Sequence, residues 1–272
     1  MEILIASAIC LGIAAVCAVL LTTASILFGI KEDETFLKVR DSLPGANCGA
    51  CGYSGCDGYA KALSEGKTKE CNLCIPGGKA AAEDISAVLG LEAGETVRTV
   101  AYVSCKGTCD AVERKFDYRG STSCQSAKLA YAGDKACAYA CLGYGDCVAV
   151  CPENAIEIHD GTARILSEHC LGCGKCAKTC PSSVIQMIPA SARAIVSCSN
   201  HDKGAVTRKL CKNGCIGCGK CVRTCQSGAI SLANNLALID QSKCTACGAC
   251  IAACPVHAIH EDCFLCDKKA GE

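Results

Sequence analysis

The sequence predicts an α+β protein with one N-terminal transmembrane helix, a small cysteine-rich domain and two tandem copies of a compact cysteine-rich module. Three observations carry this expectation. Residues Ile3 to Ile30 hold no charged side chain. Thirty of the 272 residues are Cys, set at short fixed intervals. From Val103 onward the chain repeats itself, the mark of a duplicated unit. The expected divisions are 1–31 for the helix, 32–95 for the small domain, and 96–190 and 191–272 for the two modules.

The uncharged run is 28 residues long, above the roughly 20 that cross a bilayer. Glu2 stands where a cleaved signal peptide would carry basic residues. Lys31, Lys38 and Arg40 follow the run. They predict a single pass through the cell (inner) membrane with the rest of the chain on the cytoplasmic side. Cys10 and Cys17 lie seven apart on one helix face and read as small apolar contact residues.

The cysteines carry the chemistry. Cys215, Cys218, Cys221 and Cys225 form C-x2-C-x2-C-x3-C, and Cys244, Cys247, Cys250 and Cys254 form it again. This is the bacterial ferredoxin spacing, in which the fourth Cys of each run serves the other cluster. Crossing therefore predicts one [4Fe–4S] set of Cys215, Cys218, Cys221 and Cys254, and another of Cys244, Cys247, Cys250 and Cys225. Gln226 replaces the Pro that follows Cys254. Closely spaced thiols grip iron well and bridge one another poorly. Free thiolates also imply a reducing compartment, so disulfides are not expected.

The upstream copy keeps the plan with one change. Cys170, Cys173, Cys176 and Cys151 make a complete set. In the partner set, Cys141, Cys147 and Cys180 remain, and Tyr144 occupies the middle ligand place. Three outcomes stay open: Cys137 completes a [4Fe–4S] set, a three-iron cluster forms, or the site is empty. The repeat also aligns Val103-Ser-Cys105 with Val196-Ser-Cys198, and Cys137 with Cys211. Further sites using Cys198, Cys211, Cys263 and Cys266, or Cys105, Cys109, Cys124 and Cys137, are weighed against unligated buried thiols.

The small domain reads Cys48-x2-Cys51-x4-Cys56, a different cluster motif, with Cys74 or Cys71 as the fourth ligand. Cys74 is preferred because the turn-forming Pro76-Gly77-Gly78 follows it. A zinc site from Cys48, Cys51, Cys71 and Cys74 would leave Cys56 unused. About five clusters, within a range of four to six, are expected in the chain. Metal–thiolate bonds explain how a chain without Trp can fold in such small units.

Secondary structure supports the modules. A short helix is expected from Asp57 to Ser64, and a longer one from Lys79 to Leu89 ended by Gly90. A strand is expected from Val97 to Val103, with strand–turn–strand units at Ile156–Ile165 and Ile230–Ile239. His159, His169, His201, His257 and His260 read as surface residues. Lys175, Lys178, Lys220, Arg223 and Lys243 are candidates for offsetting cluster charge or guiding an acidic partner. Basic and acidic residues balance at 27 each, and no basic run points to nucleic acid. No G-x-G-x-x-G follows a strand, no P-loop is present and no nucleophilic triad stands out. The chain is therefore expected to carry single electrons, with hydride chemistry left to a partner.

An uncharged helix, the Cys48–Cys74 block with its Pro-Gly-Gly, and ferredoxin runs together resemble the RnfB family, the iron–sulfur subunits of the Rnf complex. That complex is an ion-translocating ferredoxin:NAD oxidoreductase. The resemblance covers nearly the whole chain, in a duplicated, Cys-richer form similar to that of anaerobic bacteria. It implies an electron-relay subunit of a translocase for Na+ or H+. Its implied partners are the membrane subunits, an NAD-binding flavoprotein subunit, soluble ferredoxin and the lipid bilayer. A polyferredoxin feeding another membrane hydrogenase or dehydrogenase is the alternative.

Overall fold

The computed structural model describes residues 2–28 and 33–261, with side chains in the first helix described for Ile5 and residues 11–24. Cys263 and Cys266, with Lys31, lie outside the described residues.

Helix α1 (Glu2–Phe28) is apolar apart from its first residue, Ser7 and a Ser/Thr cluster near its end. Leu11, Ile13, Val16, Val19, Leu20 and Leu21 are all exposed on it. None of the principal packing among the described elements involves α1. Among the described residues no helix is long and apolar enough to cross a membrane. The fold therefore establishes the helix and its bare apolar surface, but not the expected transmembrane span.

The small domain is α2 (Glu34–Asp41), α3 (Cys56–Ser64) and α4 (Gly78–Leu89). Asp33 caps α2 by accepting from the Thr35 amide at 3.0 Å. Gly90, at φ 65°, ends α4 in the left-handed conformation that glycine adopts without cost. Val39, Leu43, Tyr59, Leu63 and Ile85 form the core of the three helices. Cys56, Cys71 and Cys74 are buried in that core, so its packing and its thiols are one structure.

Each module is two short antiparallel hairpin-like sheets. In the first, β1 (Thr99–Val103) pairs with β4 (Ile185–Pro189), and β2 (Ile156–His159) pairs with β3 (Thr162–Ile165). In the second, β5 (Ala194–Val196) pairs with β8 (Ile259–Glu261), and β6 (Ile230–Ala233) pairs with β7 (Leu236–Ile239). Sequence reasoning placed β1, β2, β3, β6 and β7. It missed β4, β5 and β8, which are short segments that close each module from its two ends. Each module has its own apolar core, built as much from Cys as from Val, Ile and Leu.

Helix starts are set by the cysteine runs. Helices α6 (Asp146–Ala149), α7 (Lys175–Thr179), α9 (Lys220–Thr224) and α10 (Ala249–Ala253) each follow a glycine at positive φ. The glycine turns the chain so that the next Cys enters a helix facing its neighbours. Gly143 and its counterpart Gly217 also sit against backbone. An added Cβ would lie 2.4 Å from the Gly161 carbonyl oxygen, or 2.7 Å from that of Asn235. The two copies thus share even their closest approaches.

They differ between Cys105 and Cys137. That interval is 32 positions, against 13 from Cys198 to Cys211. The longer segment carries α5 (Cys124–Leu129); the shorter carries α8 (Gly204–Leu210).

Candidate iron–sulfur sites

The described thiols gather in groups of four. Cys215, Cys218, Cys221 and Cys254 line one small pocket. Cys151, Cys170, Cys173 and Cys176 line another. Both are the sets expected from crossing between ferredoxin runs. Cys250 stands with Cys244, Cys247 and Cys225: burial pushes its thiol up, and the charges of those three push the same way. Among the described residues no three Cys, His, Asp or Glu side chains converge on a point that would hold a single ion. The thiols instead line shared pockets in the sets that the ferredoxin spacing joins.

Backbone amides point at the sulfurs. The Ala155 amide donates to Cys151 at 3.3 Å, Ala258 to Cys254 at 3.3 Å, Ala163 to Cys141 at 3.4 Å and Ala101 to Cys170 at 3.5 Å. Ala155 and Ala258 occupy the same place, four residues after the last Cys of a run. Such bonds favour the thiolate and raise a cluster's potential. At Cys225, where Gln226 replaces Pro, the Ser227 hydroxyl lies 3.5 Å from the sulfur, and this contact lowers the thiol pKa.

In the small domain, Cys74 faces Cys48, Cys51 and Cys56. Burial is the main cause of its raised pKa, and the charges of Cys56, Cys48 and Cys51 add to it. Asn47 closes this loop by accepting from the Cys56 amide at 2.9 Å. Cys71 is turned away: it is 1% exposed, and its thiol donates toward the Lys69 carbonyl at 3.7 Å. Burial alone raises its pKa.

The set around Tyr144 departs from the sequence expectation. Its pocket is lined by Cys124, Cys141, Cys147 and Cys180. Cys124, not Cys137, stands in the fourth place. The Tyr144 hydroxyl instead donates to Asp134 at 3.0 Å, and its ring packs edge-on against Tyr118 at 5.6 Å. Burial pushes the Cys147 thiol up to about 12, with Cys141 and Cys124 the nearest charges adding to it. Cys137 lies with Cys105, Cys198 and Cys211. Cys109 is exposed. Its amide donates to the Asp160 carbonyl at 3.0 Å, so the residue serves the backbone of the loop.

Asp146 holds Cys124 in place. Its carboxylate accepts from the Cys124 amide at 2.9 Å, the Gln125 amide at 3.0 Å and the Ser123 hydroxyl at 3.0 Å. The two backbone bonds and the hydroxyl bond hold the Asp146 carboxyl below its usual range, against the opposing effect of burial. A carboxylate is thereby pinned at the start of α5, beside Cys147 on its own helix. Asp146→Ala removes three hydrogen bonds to one short segment. It is expected to loosen Cys124 while leaving Cys141, Cys147 and Cys180 in place. Iron counting and EPR should show the cluster of this set partly converted or lost, with the other sets intact.

Sequence reasoning looked for compensating cations between the ligands. Lys178, Lys220, Arg223 and Lys243 are exposed. The cations nearest the buried thiols come from the inserted segment. Lys135 is 1% exposed and donates to the Gly107 and Gly161 carbonyls, each at 2.7 Å. Lys128 donates to the Ala138 carbonyl at 2.5 Å; burial lowers its pKa, and the charges of Cys137 and Cys180 oppose that. No motif marks either lysine, and only the packing of the insertion reveals them.

A chain whose buried core is thiols arranged four by four, with amides aimed at sulfur and no cleft for an organic substrate among the sites described, is a polyferredoxin. Family models agree on the cofactor. The model described as "Putative Fe-S cluster" matches residues 43–76, "LdpA Fe-S cluster-binding domain" matches 137–191, and "4Fe-4S dicluster domain" matches 214–258. The chain carries multiple [4Fe–4S] clusters. It is 40% identical over 243 residues to the B subunit of the Na(+)-translocating ferredoxin:NAD(+) oxidoreductase complex of Acetobacterium woodii, covering 89% of this chain and 73% of that one. It is 41% identical over 218 residues to the proton-translocating counterpart of Clostridium ljungdahlii, covering 80% and 77%. It is 39% identical over 253 residues to the B subunit of the ion-translocating oxidoreductase complex of Methanosarcina acetivorans, covering 93% and 96%. The chain belongs to this family, the B subunits of ion-translocating ferredoxin:NAD(+) oxidoreductase complexes.

Proposed function

We propose that the chain is the iron–sulfur relay of such a complex, taking single electrons from soluble ferredoxin and passing them to other subunits. The observation that carries this is the row of four-thiol sites in a chain whose described residues offer no hydride or nucleophile chemistry of their own. When bound, each cluster supplies a one-electron couple. The residues of the chain hold the sulfurs as thiolates, aim amides at them and keep the sites in small apolar cores. Ion translocation, for Na+ or H+, and reaction with NAD belong to partner subunits, the latter to a flavoprotein.

The ligand sets we assign are Cys48, Cys51, Cys56 and Cys74; Cys124, Cys141, Cys147 and Cys180; Cys151, Cys170, Cys173 and Cys176; Cys215, Cys218, Cys221 and Cys254; and Cys225, Cys244, Cys247 and Cys250. Units at 32–95, 96–190 and 191–272 hold them. Anaerobic purification with iron and sulfide counting tests this directly. At least about twenty irons per chain, four for each of these five sets, are the expectation, and a redox-titrated EPR spectrum should show several interacting couples. A chain without iron or labile sulfide would sink the reading.

Helix α1 is assigned as a single-pass anchor in the cell membrane, with the cluster-bearing part on the cytoplasmic side. Its support is the uncharged run in the sequence and the bare apolar surface of Leu11 to Leu21. Thr22 and Thr23 turn their hydroxyls back to helix carbonyls, bonding Ala18 and Val19 at 2.8 Å, which hides polar groups that lipid would not solvate. The full chain is expected to stay with membranes through an alkaline wash and to leave them only in detergent. Release by the wash would reduce the helix to a packing element against another protein of the complex.

A further inference from the structure

Four thiols outside every cluster motif lie together at the seam between the two modules. Cys105, Cys137, Cys198 and Cys211 line one small pocket. Each module contributes an equivalent pair, since the repeat aligns Cys105 with Cys198 and Cys137 with Cys211. Their hydrogen bonds repeat as well. Cys105 accepts from the amides of Gly107 at 3.4 Å and Cys141 at 3.3 Å. Cys198 accepts from the amides of Asn200 at 3.4 Å and Cys215 at 3.3 Å. The Asn200 side-chain amide, itself buried, lies 3.5 Å from Cys137 and donates to its sulfur. Amide donors gathered on buried sulfur suit thiolates, because a neutral thiol is a weak acceptor.

The seam is built around this space. Ser199 donates to the Ser104 carbonyl at 2.9 Å, the Lys212 amide to the Ala111 carbonyl at 3.1 Å, and Asn213 to the Lys106 carbonyl at 3.0 Å. Hydrogen bonds alone would not require four thiols here. A core that merely packed would fill the cavity with carbon.

We propose that Cys105, Cys137, Cys198 and Cys211 hold a sixth [4Fe–4S] cluster that bridges the modules and joins their two relays. The contacts give the order. Gly172, between Cys170 and Cys173, closes on the side chain of Ile75, next to Cys74. Helix α6, which carries Cys147, packs on α7, which carries Cys176. The Cys141 amide then donates to the Cys105 sulfur, and the Cys215 amide to the Cys198 sulfur. The row therefore runs from the Cys74 set through the Cys170, Cys141 and bridging sets to the Cys215 and Cys244 sets. One electron entering the bridging site from the cluster on one side leaves to the cluster on the other, so no atom is transferred and the charge returns to its starting value. This rests on the relay reading above.

The test uses the full chain, purified anaerobically in detergent. Native protein is alkylated, then stripped of metal and alkylated with a second, heavier reagent, and the labels are located by mass spectrometry. Cys105, Cys137, Cys198 and Cys211 are expected to take only the second label, while Cys109 takes the first. Iron should stand near twenty-four per chain, zinc near zero. Cys105→Ser with Cys198→Ser should remove about four irons and one EPR-active couple, and Cys109→Ser none. First-reagent labelling of the four in native protein, one zinc per chain with about twenty irons, or an unchanged iron count in the double variant would each overturn the bridge and leave the relay standing. Iron absent from every site would instead overturn the relay itself and the bridge with it.

Discussion

Cys124→Ala is expected to convert or abolish one cluster while the remaining sets keep theirs. Cys124 stands in a wall shared with Cys141, Cys147 and Cys180. Three thiols leave the fourth iron without a thiolate and easily lost, so iron should fall by about one to four per chain, and EPR should show either a three-iron signal or a missing couple. Tyr144→Cys in the otherwise native chain should add no iron, since the fourth place is already filled. In the Cys124→Ala background the same change restores the ferredoxin spacing and is expected to return the lost iron. If Tyr144→Cys alone gained iron, or Cys124→Ala lost none, Cys124 would not be the ligand. The contrast is decisive because both residues lie close to one site but only one presents sulfur to it: the Tyr144 hydroxyl is engaged with Asp134.

Cys74→Ala and Cys71→Ala should separate just as sharply. Both thiols are buried in the same core and lie three positions apart. Cys74 feels the charges of Cys56, Cys48 and Cys51, and Cys71 feels none of them. Losing Cys74 should cost about four irons and unfold much of the small domain, whose core is built around those thiols. Losing Cys71 should leave the iron count unchanged and lower stability by only about 1–2 kcal/mol, the effect of a small cavity. Iron analysis and thermal unfolding of the two variants decide it. An equal loss of iron in both would mean that the domain needs Cys71 for assembly, whatever its place in the final structure.

Much of this was legible because cluster ligation is mostly local. Cys215, Cys218 and Cys221 are brought together by one turn and the start of one helix, so their spacing alone encodes their meeting. The single distant ligand, Cys254, is fixed by the two-run rule. The same local spacing holds for the Cys151 and Cys225 sets, and Cys74, which the Pro-Gly-Gly turn favoured, is the thiol on which the charges of Cys56, Cys48 and Cys51 act. The strand–turn–strand units at Ile156–Ile165 and Ile230–Ile239 were visible for a similar reason, since alternation and turn residues are local signals.

What failed was non-local. Cys124 has no neighbouring Cys within a ligand motif, and it reaches its site because Asp146 draws the start of α5 onto the next helix. Cys137 lies four positions from Cys141 and was therefore the natural candidate by spacing, but the chain turns between them. Cys137 faces the seam, where Asn200 of the other module meets it. Lys135 was overlooked because a lysine in a loop reads as solvated until packing buries it.

The sequence by itself determined the cofactor class and the family and suggested four of the ligand sets proposed above, because short-range spacing dictates which thiols a turn can bring together. Only the tertiary structure decided how the inserted segment fills the gap at Tyr144, and that Cys105, Cys137, Cys198 and Cys211 meet. Those thiols are separated by tens of residues, and no spacing rule connects them. Their meeting depends on two folded modules packing face to face.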